Sequence, residues 1–189
     1  MARRLVVVAA CLLLAVPVIA GVLEGITMPE SAQVGDTSLV LNGMGVRIKK
    51  VAFIKVKVYV AGLYLPAKSQ NAMAIISADT PKQLVMHFLY KEVGRDKLVE
   101  AWNDGFTSNA GGTQAALKDQ IAAFNAMWPD MVSGDRAVIT YVPGTGTRVE
   151  IKGKEAGVIP GLDFAQAVFS VWLGVKPPNE ELKTGLLGR

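Results

Sequence analysis

The sequence predicts an α+β fold with a mainly antiparallel sheet. Strand patterns come early and late in the chain with helical patterns between them, so a strict strand–helix alternation is absent. Val51 to Leu65 alternates with the period of two that a half-buried strand requires. At 189 residues and 51% hydrophobic, the chain has the volume for one buried core, and no repeat or low-complexity tract divides it.

The N-terminus comes first. Arg3 and Arg4 precede an apolar run from Leu5 to Ile19 that only Pro17 interrupts, and Val18-Ile19-Ala20 resembles a signal-peptidase site. The run is short beside the roughly 20 apolar residues of a comfortable membrane span, and no basic stop-transfer cluster follows. Residues 1–20 are expected to be a cleaved secretory signal, an uncleaved anchor being the alternative. A cut after Ala20 removes Cys11 and leaves 18 cations, 16 anions and no cysteine. That suits an oxidising compartment, and the expected location is the periplasm, with no membrane span in the mature form. Residues 21–34 are unpatterned and read as a tether, and residues 35–189 as the domain.

Ser38 to Arg47 reads as a strand whose glycines, Gly43 and Gly45, suit a turn or a bulge. In Val51 to Leu65, alternation puts Ile54, Val56, Val58 and Val60 on one face and Lys55, Lys57, Tyr59 and Ala61 on the other. A short helix is expected near 69–77 and a strand over 82–90. Asp96 suits the cap of a helix in which Leu98, Trp102 and Phe106 share a face. Thr113 suits the cap of the next helix, carrying Leu117, Ile121, Phe124 and Trp128, and Pro129 helps end it. Residues 137–142 and 148–152 form a hairpin around Pro143–Gly146. Asp163 suits the cap of a helix over 164–173 that is apolar on almost every side and therefore buried. Pro177-Pro178 separates it from a final helix over 179–187.

Several chemistries are excluded. One histidine, His87, and no cysteine after the leader leave no zinc or iron ligand set, and no cofactor is expected. His87 lies in a strand pattern without a nucleophile or an orienting group, and reads as an ordinary sheet residue. Gly43-Met-Gly and Gly144-Thr-Gly lack the lysine of a phosphate loop. Nucleic acid is not an expected partner, since the basic segment lacks a reading module.

That segment still demands an explanation. No acidic residue lies between Asp36 and Asp79, where Arg47, Lys49, Lys50, Lys55, Lys57 and Lys68 fall. Lysines that guard a strand edge are one reading. A site for one anionic head group is the other. Arg47 and Tyr59 lie on neighbouring strands, where a planar guanidinium and a phenol could meet the same carboxylate, enolate or phenolate oxygen. The plainer account is an edge arginine and a packed tyrosine.

Gly43-Met-Gly-Val-Arg47, then Lys55-Val-Lys-Val-Tyr-Val-Ala-Gly-Leu-Tyr-Leu65, resembles the N-terminal block of the chalcone isomerase-like family. Phe164 to Gly188 resembles its C-terminal helix pair, and the likeness spans roughly residues 35–188. It is nearer to bacterial exported members than to the plant enzymes. The resemblance implies a large antiparallel sheet backed by a layer of helices, with a ligand cleft between them. Plant members close a chalcone to a flavanone around an arginine-held phenolate, whereas plastid relatives hold a fatty-acid carboxylate with an arginine and a tyrosine. Arg47 matches that arginine, and Tyr59 matches the tyrosine of the fatty-acid binders. Lys97 falls where plant isomerases have a tyrosine, and Asp104 where they have an asparagine that helps hold the flavonoid. The expectation is a periplasmic binder of an amphipathic carboxylate such as a fatty acid, with little or no catalysis. Arg47 and Tyr59 would hold the head, and Trp102 and Phe106 the tail. The alternatives are an isomerase or intramolecular lyase with Arg47 as its catalytic group, and an accessory protein that docks a protein partner not identified by the sequence.

Overall fold

The computed structural model describes residues 19–189, so all but the last two residues of the expected signal lie outside it. The strands are β1 (Ile19–Leu23), β2 (Ile26–Pro29), β3 (Ser31–Val34), β4 (Thr37–Val51), β5 (Ile54–Leu65), β6 (Lys82–Phe88), β7 (Glu92–Val93), β8 (Met131–Val132), β9 (Arg136–Val142), β10 (Gly146–Ile151) and β11 (Lys154–Ile159). The helices are α1 (Ala72–Ser77), α2 (Arg95–Asn109), α3 (Lys118–Ala126), α4 (Leu162–Leu173) and α5 (Glu180–Leu186), with a 3-10 turn over Gly111–Thr113.

Seven strands form one sheet in the order β11-β10-β9-β6-β5-β4-β3, every neighbouring pair antiparallel. This is the α+β architecture with a mainly antiparallel sheet that the sequence predicts. One face carries Tyr59, Ala61, Leu63, Leu84 and Ile139 into a core shared with α2, α3 and α4. Leu39, Val60, Tyr64, Val85 and Val138 point to the opposite face, where they pack with Met28 of β2. Both faces are therefore apolar and covered at the centre of the sheet, and β5 is buried without alternation from Tyr59 to Leu65, where the sequence suggested a half-buried strand.

That second cover overturns the expected tether. Residues 21–34 form the end of β1, then β2 and β3, with β1–β2 a hairpin and β3 the edge strand beside β4. Met28 is fully buried, and the Tyr64 hydroxyl donates to the Pro29 carbonyl at 3.1 Å. The segment lacks period because its strands are four or five residues long and largely exposed. β11 escaped notice for the same reason, being an edge strand that buries only its last residue.

The helix starts also differ. Gly94, Leu117 and Gly161 stand at the N-caps of α2, α3 and α4, while Asp96 and Asp163 lie inside the first turn. Acidic groups there complement the partial positive charge of the helix start without capping it. Thr113 ends the 3-10 turn instead, its hydroxyl donating to the Ala110 carbonyl at 2.6 Å.

The largest correction is to the faces of β5. Arg47 pairs with Tyr59 but Ile48 pairs with Lys57, so Val58 is an extra residue, a β-bulge. An extra residue reverses which side every later residue faces. Val56, Val58 and Tyr59 consequently line one cavity, and Val60 turns away into the opposite core.

Candidate functional site

Between the β4–β5 hairpin and α2 lies a cavity of about 680 Å³. That volume is in the range of sites that hold a drug-sized ligand. Its walls include Val56, Val58 and Tyr59 from β5, Leu98 and Trp102 from α2, and Val171 from α4. Arg47 and the Lys176–Pro178 segment close one side.

Arg47 and Tyr59 face each other across β4 and β5 and line the same cavity. One guanidinium nitrogen of Arg47, Nη1, donates to the Ile48 carbonyl at 2.6 Å and to the Pro178 carbonyl at 2.8 Å. These bonds fix the plane of the guanidinium. Its other N–H groups have no partner among the described residues and can serve an anion. The Tyr59 ring is buried and tilted against Phe88 at 5.5 Å. Its hydroxyl oxygen accepts from the Trp172 indole N–H at 3.0 Å. Burial pushes the Tyr59 pKa up, while Arg47 and the Trp172 bond pull it down less strongly. The phenol therefore stays neutral near pH 7, and its proton remains available to donate.

The segment over Arg47 is fastened by two asparagines. Asn179 accepts from the Ile48 N–H and donates to the Val46 carbonyl, each at 3.1 Å, supplying a side-chain partner to β4 backbone beside the bulge. Asn109 grips Lys176 through both its N–H, at 2.8 Å, and its carbonyl, at 2.9 Å. Below this strap α5 lies directly on β4. A Cβ on Gly43 would strike the carbonyl of Gly185, one on Gly45 the carbonyl of Leu182, and one on Gly185 the carbonyl of Met44. Gly43 and Gly45 are thus seats for a helix, where the sequence suggested a turn or bulge. Asn42, next to Gly43, is the extra residue of a second bulge. Its amide donates to Leu186 and Ser69 carbonyls and accepts from the Ser69 N–H.

Of the four residues expected to touch a ligand, three reach the cavity. Trp102 lines it while only 2% exposed, with its ring 5.0 Å from Trp128 and 5.4 Å from Trp172. Its indole N–H is buried without a partner. Phe106 does not reach the cavity. Helical spacing places it one turn along the same face, where it is fully buried against Phe124 and Phe164 at 5.8 and 6.1 Å. Lys97 and Asp104 both line the cavity, and Lys97 is bonded to Glu100 at 2.7 Å. His87 sits opposite Val60, outside the cavity lining, with its pKa lowered by burial and by Arg136. No cluster of metal-ligating side chains occurs among the described residues.

Trp172, Asn109 and Asn179 escaped sequence reasoning. The one available signal was Pro-Pro-Asn after a buried helix and a three-residue gap, a stiff segment obliged to run back over the sheet.

A family model described as chalcone isomerase-like matches residues 20–188. Among solved structures, the crystal structure of an Arabidopsis thaliana fatty-acid binding protein is similar, with a TM-score of 0.70 and 17% identity over 86% of this chain and 92% of that one. No curated protein matches the chain by sequence.

Proposed function

The chain belongs to the chalcone isomerase-like family, and from that premise we propose that it binds an amphipathic carboxylate, such as a fatty acid, with little or no catalysis. The observation that carries this reading is the shared cavity of Arg47 and Tyr59, one offering free guanidinium N–H groups and the other a neutral phenol proton. Both are donors, so the pair favours a ligand that presents only acceptors, which a carboxylate does.

One part of the wall is suited to a hydrocarbon, while Lys49, Lys50, Glu92, Lys97, Glu100 and Asp104 line the rest. Val56, Val58, Leu98, Trp102 and Val171 offer no hydrogen-bond acceptor from their side chains. Covering about ten methylenes there would contribute on the order of 8 kcal/mol gross, at about 0.8 kcal/mol each. Loss of ligand freedom offsets much of it, so the head group acts chiefly through orientation and anion selection. By the family resemblance, Lys97, here bonded to Glu100, falls where plant isomerases carry a tyrosine, which supports binding over ring closure. The similarity in fold to a fatty-acid binding protein is in keeping with this reading.

The place of action is proposed to be the periplasm, reached through the leader over residues 1–20. Cell fractionation with N-terminal sequencing tests that part, and an unprocessed cytoplasmic protein rejects it. For the ligand, extraction and mass spectrometry of the purified protein should return fatty acids, and a fluorescent fatty acid should bind and be displaced by them. Absence of both defeats the reading. Turnover of a chalcone above background, abolished in Arg47→Ala, replaces it with the isomerase.

A further inference from the structure

The tip of the β4–β5 hairpin breaks the rule that the chain's other tight turns obey. Four of those turns carry a glycine at positive φ, namely Gly25, Gly35, Gly144 and Gly153. At the β4–β5 tip, Val51 pairs with Ile54 and the two turn residues are Ala52 and Phe53. Ala52 takes the left-handed φ of +53°, as Glu24 and Lys152 do at the first position of two of those turns, but Phe53 stands where they have a glycine, and it is 104% exposed. Turn chemistry favours Gly, Asn or Asp at the second position, so it does not account for Phe53. Val51 and Ile54 beside them are 54% and 69% exposed. An apolar knob of four residues thus projects into water.

Its flanks are cationic. Lys49 and Lys50 precede the knob, and Lys55 and Lys57 follow it. Acidic groups do reach this region. Glu24 is paired with Lys57 at 2.6 Å, and Lys49 helps lower the Glu100 pKa as Lys50 and Lys55 help lower that of Glu181. None of these acids comes from the hairpin itself, which has no acidic residue from Thr37 to Leu65. Lysines alone would be read as guards against edge pairing. Guards do not explain a fully exposed aromatic ring at the tip of the hairpin.

We propose that this tip docks on the surface of an anionic phospholipid bilayer, with Phe53 and Ile54 entering the interfacial zone and Lys49, Lys50 and Lys55 lying among the head groups. An aromatic ring among lysines is the composition that partitions to such an interface, and cations contribute further when the lipid is anionic. The charge complementarity selects a bilayer over a neutral apolar partner. The placement also has a consequence for the cavity, which rests on the ligand reading given above. Lys49, Lys50, Val51 and Val56 belong both to the hairpin end and to the cavity lining, so docking brings the cavity mouth against the lipid. Val175, 82% exposed, precedes the Lys176–Pro178 strap on the same rim. An acyl chain could then pass between bilayer and cavity without crossing bulk water.

The test is co-sedimentation of the purified protein with vesicles of phosphatidylcholine alone, or of phosphatidylcholine and phosphatidylglycerol in equal parts. Binding is expected only to the anionic vesicles, weakening as salt is raised. Phe53→Glu and Lys55→Glu should each weaken it tenfold or more. Both side chains lie outside the cavity lining, so fluorescent fatty-acid binding in solution should be unchanged and shows that the variants are folded. A Phe53→Trp variant should shift its emission to the blue on anionic vesicles by more than the wild type does. Equal binding to neutral vesicles, wild-type binding by both charge variants, or a Phe53→Trp variant with no added blue shift overturns the proposal. So does a tip-dependent dimer in solution, which would make a second copy the occupant. Vesicle binding without any fatty-acid binding leaves the docking standing and removes only the ligand reading.

Discussion

The Trp172 indole N–H donates to the Tyr59 hydroxyl oxygen at 3.0 Å, and the direction of that bond decides what Tyr59 can do. Because the oxygen accepts from the protein, the phenol proton is left for the ligand. The bond also makes the site part of the core, since Trp172 is 1% exposed.

Tyr59→Phe therefore has two separable effects. It removes one donor to the carboxylate, and fatty-acid affinity should fall about tenfold, the equivalent of about 1.4 kcal/mol. It also strands a buried indole N–H, which costs about 1–3 kcal/mol of stability in urea denaturation. Trp172→Phe added to Tyr59→Phe removes the stranded donor, so the double variant should lose less stability than the two single losses together. Strict additivity would show that the bond carries no stabilisation.

Trp102 and Phe106 should divide binding from packing. Phe106→Leu leaves the cavity wall untouched, so affinity should hold while stability falls by about 1–2 kcal/mol through poorer packing against Phe124 and Phe164. Trp102 borders the cavity, and a fatty acid titrated into the wild type should change tryptophan emission, with the change lost in Trp102→Phe. An affinity loss in Phe106→Leu matching that of Trp102→Phe would put the tail against the wrong part of α2.

The contrast between these two residues marks where sequence reading reaches its limit. Helical spacing correctly places Leu98, Trp102 and Phe106 on one buried face, but the depth at which the cavity ends depends on α3 and α4 packing from elsewhere in the chain. Arg47 and Tyr59 were legible as partners because a hairpin brings its two strands into register. The bulge at Val58 was not, since an extra valine in a valine-rich strand leaves no trace in composition. Gly43 and Gly45 read from sequence as a turn or a bulge, yet their meaning lies in a helix more than 130 residues away in sequence. The tether failed because short, half-exposed strands carry too little periodicity to detect.

Those glycines give a stability prediction. Gly45→Ala places a methyl against the Leu182 backbone, and backbone cannot rotate away as a side chain can. α5 must lift, at a cost of about 1–3 kcal/mol, and its movement should disturb the strap that holds the Arg47 guanidinium through Pro178. Gly112→Ala is the control, as an added Cβ there meets nothing within 4 Å and its φ is not left-handed. Denaturation midpoints should separate the two variants, and fatty-acid affinity should fall only in Gly45→Ala. Equal midpoints would mean that α5 does not bear on β4 as closely as these contacts require.

Lys82 supplies a pH dependence of folding. Its side chain is 1% exposed, and its ammonium donates to the carbonyls of Ile75, Ile76 and Ala78 at 2.7, 3.1 and 2.8 Å, tying off the end of α1. Burial lowers its pKa from the ordinary 10.5 to about 8, opposed by the negative charge of Asp79. Below pH 8 the folded and unfolded chains both hold the proton. Between about 8 and 10.5 the unfolded chain holds more, so this group makes the free energy of unfolding rise with pH across that window. Tyr64 acts in the opposite sense, since burial raises its pKa to about 12 and stability is lost above its ordinary value of 10. Lys82→Met retains the tyrosine effect and lacks the lysine effect. The difference in unfolding free energy between wild type and Lys82→Met should therefore grow in favour of the wild type from pH 8 to pH 10. A difference that stays flat over this range would mean that the three carbonyls hold the Lys82 proton as firmly as water does.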